Sequence, residues 1–127
     1  MANLCERADR VLGTLHRECE RLDILMTCHG EMMQCLGFRI ERPLIMAETK
    51  WSSDDPLQQI HNCQIIQYTR VDPFDFGVVA QFVGWKRSIC PWDLTRSTTE
   101  WQKIKRPTFT VDQLRQLVES HPRLINS

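Results

Sequence analysis

A chain of 127 residues is the size of one domain, and its 16 Lys plus Arg balance 16 Asp plus Glu, so the molecule as a whole has no charge with which to bind a polyanion. Although 42% of the residues are hydrophobic, the chain has no run of 18 apolar residues and no N-terminal apolar leader, which argues against membrane insertion and secretion. The expected setting is intracellular and reducing, in the nucleus or cytoplasm, with six scattered cysteines mostly reduced and buried.

The first stretch, Leu4 to Leu36, has no proline and no clear turn signal. Leu4, Ala8, Val11, Leu15, Cys19, Leu22 and Met26 recur at steps of three and four between charged positions, and Met33 continues the stripe. This spacing predicts a long coiled-coil-like helix whose narrow apolar seam is a dimer interface. The alternative is a long helix folded back on its own domain. Gly30 is a place for a kink or fray. The domain reading is therefore a dimerisation helix over 1–36 and a small α+β head over 37–127.

Gly37 fits a helix-terminating glycine, and Phe38-Arg39-Ile40-Glu41-Arg42 alternates with period two, as a half-buried first strand does. Leu44-Ile45-Met46 would continue it past Pro43. The segment from Glu48 to Asn62 is polar, with Asp55 placed to cap a short turn over Pro56 to Ile60. Residues Cys63 to Val71 and Gly77 to Val83 are rich in β-branched side chains, and the five residues between them predict an antiparallel hairpin. Ser88 to Leu94 reads as a short fourth strand, placed at an edge by Pro91. Thr95 to Arg106 has no decisive pattern. Thr110 and Gln113 form a capping box with Phe109 and Leu114 as a staple, so a capping helix is predicted over about Val111 to Ser120. Leu124 and Ile125 are placed to tuck back. The fold class is α+β: a long N-terminal helix, a small antiparallel β-meander and a C-terminal helix.

Chemistry-bearing patterns are sparse. Cys28, His29, His61 and Cys63 are four metal-ligand types, but their spacing is poor for zinc, and no metal or other cofactor is expected. The chain has no nucleophile elbow, no Gly-rich phosphate loop and no Walker lysine, and its adjacent carboxylates Asp54 and Asp55 suit a polar loop. The expectation is a non-enzyme. What stands out is the C-terminal third: residues 84–127 hold eight basic and four acidic side chains, a balance of +4 against −4 for the rest. Trp92, Trp101, Lys103, Lys105 and Arg106 make the predicted partner-binding set, with Trp101 to Arg106 favoured. Trp85 and Trp92 are equally suited to filling a thin core. A second protein is the expected partner on the head, and single-stranded nucleic acid is the alternative. A small nucleic-acid-binding or virally encoded regulatory protein is thus the rival class.

The order of elements, with Leu36-Gly37-Phe38-Arg39-Ile40 leading into a meander closed by Phe109 to Val118, resembles the coiled-coil-plus-head pattern of RWD-type kinetochore proteins. That resemblance implies a helix that forms a homodimer or heterodimer, a head that docks another protein, and a role in chromosome segregation.

Overall fold

A computed structural model describes residues 2–42 and 55–121 of the chain. Its described elements are α1 (Ala2–Glu18), α2 (Gly30–Glu41), β1 (Ile65–Thr69), β2 (Val71–Asp72), β3 (Asp75–Val79), β4 (Trp85–Ile89), a 3-10 turn at Leu94–Arg96, β5 (Thr98–Lys103) and α3 (Val111–Ser120). The α+β class holds. Among the described residues no helix is long and apolar enough to cross a membrane.

The single rod predicted over Leu4 to Leu36 is instead two helices. α1 stops at Glu18, and residues 23–29 have no regular secondary structure before α2 begins. In a continuous helix the Glu20 carbonyl would accept the N–H of Ile24. Here it accepts from Arg70 Nη2 at 2.7 Å, a tertiary hydrogen bond that takes the place of a helical one. The two helices pack on each other and run in the same direction, because both cross-contacts pair a residue with the one thirty positions later, Cys5 with Cys35 and Asp9 with Arg39. A parallel pair requires the chain to return along the length of α1. Seventeen helical residues span about 25 Å, and eleven joining residues can reach about 36 Å, so the return is within the reach of the join.

Ala8 is fully buried in this seam against Cys35 and Leu36, with Leu4, Cys5, Leu12 and Met32 around it. A methyl side chain at Ala8 is what lets the helices approach. The ion pair of Asp9 with Arg39, two parallel contacts of 2.6 and 2.7 Å, fixes their register one turn further on.

The strand predicted at Phe38 to Arg42 is also corrected: Phe38 to Glu41 is the last turn of α2, with Gly37 buried inside the helix. The left-handed residue that ends it is Arg42 (φ 46°), whose N–H donates to the Phe38 carbonyl at 2.9 Å. The continuation at Leu44 to Met46 lies outside the described residues, as do Leu124 and Ile125. α2 therefore crosses the domain boundary drawn between residues 36 and 37.

β1, β4 and β5 form an antiparallel sheet in the order β1-β4-β5, and β2 pairs with β3 in a separate ribbon. The predicted hairpin exists in narrower form. Asp72 pairs with Asp75 across Pro73-Phe74, and the Asp72 carboxylate accepts the Phe74 N–H at 2.8 Å. β1 pairs with β4, not with β3. β4 is the central strand rather than the predicted edge, because it begins at Trp85 and ends at Ile89, before Pro91 can interrupt its pairing. The unsettled stretch Thr95 to Arg106 holds the end of the 3-10 turn and all of β5. Asp55 caps its turn as expected, accepting from Leu57 N at 3.0 Å. α3 has both halves of the capping box at Thr110 and Gln113.

Enlarging the fully buried Ala8 to leucine overpacks the helix seam. We expect Ala8→Leu to lower stability by about 1–3 kcal/mol in chemical denaturation. An unchanged transition midpoint would show that α1 and α2 are not packed at this residue.

Candidate docking surface on the sheet

Direct cross-strand partners share a face of a sheet, so the pairing register sorts the side chains. Ile65 faces Ile89, Gln67 faces Arg87, Thr69 faces Trp85, and Trp85 faces Lys103. These residues make one face. The alternate partners, Ile66 with Ser88, Tyr68 with Lys86 and Lys86 with Gln102, make the other.

The second face meets the end of α2. Glu41 is only 5% exposed, an uncommon state for a carboxylate. It is satisfied by charge and hydrogen bonding: Lys86 Nζ lies 2.6 Å from Oε1, and the Tyr68 hydroxyl donates to the same oxygen at 2.8 Å. The preceding carbonyl, of Ile40, accepts from Arg106 Nε and Nη2 at 3.2 and 2.7 Å. Burial, and then the neighbouring Arg42, lower the Arg106 pKa, while the guanidinium remains charged. Gln64, also buried, donates from Nε2 to Ser88 Oγ at 2.7 Å. A polar cleft of about 230 Å³ opens beside this node, lined by Leu57, Gln59, Ile60, Lys86, Gln102 and Lys105.

The first face is more open. Ile65 is 50% exposed and Gln67 and Lys103 are exposed, whereas Trp85, Arg87 and Trp101 are half-buried. The Arg87 guanidinium lies over the Trp101 ring at 4.6 Å and its Nε donates to Gln67 Oε1 at 2.6 Å. The Phe74 ring from the β2-β3 ribbon meets Trp85 edge-on, with centroids 5.6 Å apart. The result is a basic and aromatic platform in which the guanidinium is held by stacking, worth about 0.5–2 kcal/mol.

The structure divides the predicted partner-binding set. Trp101 is on β5 under Arg87, with Lys103 on the same face. Lys105 is exposed beyond the strand. Arg106 is committed to the Ile40 carbonyl and acts within the fold. Trp92 belongs to a separate group: its Nε1 donates to the Asn62 carbonyl at 2.9 Å, Arg96 stacks on it at 5.1 Å, and His61 meets it edge-on. The predicted dimer seam is divided as well. Leu4 and Ala8 pack against α2, Leu15 and Cys19 are half-buried, and Val11 is 38% exposed. Leu22 and Met26 are exposed and lie in the join, not in a helix. Among the described residues no three His, Cys, Asp or Glu side chains come together as a metal site. Cys28 and Cys63 are exposed, and the His61 ring hydrogen-bonds the Pro56 carbonyl at 2.8 Å.

Sequence reading counted Arg87 among the basic residues interleaved with the tryptophans but left it out of the favoured partner-binding set, and it missed Glu41 altogether. The alternation Trp85-Lys86-Arg87-Ser88-Ile89 carries the signal for Arg87, since period two separates Trp85 and Arg87 from Lys86 and Ser88. Nothing local marks Glu41, whose partners are 27 and 45 residues away.

Tyr68 is the chain's only tyrosine, so phenolate absorbance reports it alone. Burial, then the Glu41 charge and the hydrogen bond to Glu41, raise its pKa strongly above the ordinary value of about 10. The native state then holds a proton that the unfolded state loses, so stability is unaffected below about pH 10 and falls as pH rises further. We expect phenolate to appear only with loss of the far-ultraviolet dichroism. A phenolate signal near pH 10 in a protein that stays folded would contradict the burial of Tyr68.

Comparison of the chain with protein-family models, with curated proteins and with solved structures gave no match, so its function is read from its own residues.

Proposed function

We propose that this chain is a non-catalytic protein-interaction module that docks an acidic segment of a partner protein on the open face of its three-stranded sheet. The observation that carries this reading is the Arg87–Trp101 stack beside Lys103 on one exposed face. A stacked guanidinium is pre-positioned, so less rotamer entropy is lost when it meets a carboxylate. Arg and Trp are also the residue types that most often anchor protein interfaces. The +4 balance of residues 84–127 favours an acidic partner.

The same face bears on the nucleic-acid alternative. Base stacking needs an uncovered ring face, and Arg87 already covers one face of Trp101 while Phe74 abuts Trp85. These contacts favour a protein partner. Self-association is a further part of the proposal, supported by the exposure of Leu22, Leu25 and Met26, and it would bring two platforms into one assembly. The kinetochore setting suggested by the resemblance in sequence pattern depends on which partner is bound.

Trp101 is a poor probe, because its half-buried ring is packed in β5 and truncation would disturb the sheet. Lys103 is exposed and better suited. We expect Lys103→Glu to weaken capture of acidic peptides from an immobilised array at least tenfold, with an unchanged thermal midpoint, and to leave labelled single-stranded oligonucleotides unbound before and after the change. Equal capture by both proteins, or oligonucleotide binding that weakens steeply with salt, would contradict the reading.

A further inference from the structure

The parallel register of α1 and α2 places two thiols face to face. Cys5 Sγ and Cys35 Sγ are 3.7 Å apart, one helical turn before the Asp9–Arg39 pair that locks the same offset. A disulfide holds its sulfurs at about 2.05 Å, so closure asks for about 0.8 Å of movement from each thiol. Ala8, fully buried in the same cluster, puts no more than a methyl group between the helices there.

We propose that Cys5 and Cys35 are a thiol-oxidation site, at which a hydroperoxide drives formation of a disulfide that staples α1 to α2. Cys5 is the more accessible of the two and Cys35 is only 3% exposed, which assigns their order of reaction. Cys5 gives up its proton and its thiolate attacks the peroxide; the O–O bond breaks, one oxygen stays as the sulfenic acid, and the other leaves with the released proton as one water. Cys35 then gives up its proton and attacks the Cys5 sulfur, and the sulfenic hydroxyl leaves as a second water. Two electrons pass from the two thiols to one hydrogen peroxide. Burial raises the Cys35 pKa, so its attack quickens as pH rises and its thiol ionises.

The consequence follows from how α1 is held. Apart from the stack around Ala8, its contacts with α2 include an exposed ion pair, Asp9 with Arg39, of small worth in water. Reduced, α1 is free to part from α2 by local opening. Oxidised, it cannot. The inference is independent of the docking surface on the sheet, which involves neither cysteine.

The test uses the full chain in its folded state. Treat it with hydrogen peroxide, alkylate the remaining thiols, digest without reductant and map the peptides by mass spectrometry. The expected result is an intrachain Cys5–Cys35 peptide as the main cross-link, four of the six cysteines still alkylated, and a thermal midpoint several degrees higher that returns to its starting value with dithiothreitol. Cys5→Ser should abolish both the cross-link and the shift. A Cys28→Ser, Cys63→Ser double variant should keep both, which gives a readout even if Cys5→Ser folds poorly. Oxidation confined to Cys28 and Cys63, a Cys5–Cys35 link that forms only in denaturant, or a midpoint indifferent to peroxide would overturn the proposal.

Discussion

The carboxylate of Glu41 is the constraint around which the described fold is arranged. The apolar core is thin: Ala8, Cys35, Leu36 and Cys90 are its buried hydrophobic members among the described residues. Three of these lie in the helix pair, and none joins it to the sheet. That junction is made by polar groups, with Glu41 held by Lys86 and Tyr68 and the Ile40 carbonyl held by Arg106. A buried charge left without its partner costs about 3–5 kcal/mol, a large share of the 5–15 kcal/mol that keeps a domain folded. The junction is therefore strict about geometry. α2 must end where it does, because one residue more or less would swing Glu41 away from Lys86.

From this follows the division of labour between the faces of the sheet. Lys86 and Tyr68 turn toward α2 because Glu41 is there, and period two then sends Arg87, Trp85 and Thr69 to the opposite face. The same alternation that satisfies the buried carboxylate thus exposes the basic and aromatic platform. Two further apolar surfaces remain open. Every residue of β3 is exposed, with Phe76 at 79%, and so is every residue of α3.

What could be read from the residues was what local chemistry decides. The capping box at Thr110 and Gln113 defines α3 to the residue, because an N-cap is satisfied within one turn. The β-branched run around Ile65 to Thr69 is a strand for a similar reason. The rod failed because periodicity in Leu4 to Leu36 is compatible with two helices as well as one, and the contact made just past the end of α1, Arg70 on the Glu20 carbonyl, comes from fifty residues away. Phe38 to Arg42 misled because five residues of period two also fit a helix turn in which Leu36 and Ile40 share a side. The platform was half legible. Trp101 and Lys103 stood out by composition, whereas Arg106 carried the same composition and proved to serve the α2 terminus, a role set by a contact 66 residues away.

The Glu41–Lys86 contact couples helix pair and sheet, and a double-mutant cycle measures that coupling directly. Chemical denaturation of the wild type, Glu41→Gln, Lys86→Met and the double variant yields the interaction free energy. The double variant should be less destabilised than the sum of the two single changes, by at least about 1 kcal/mol, because each single change removes the charge partner of the other. Additive effects would mean that Glu41 and Lys86 do not share this site, and the junction described here would be wrong.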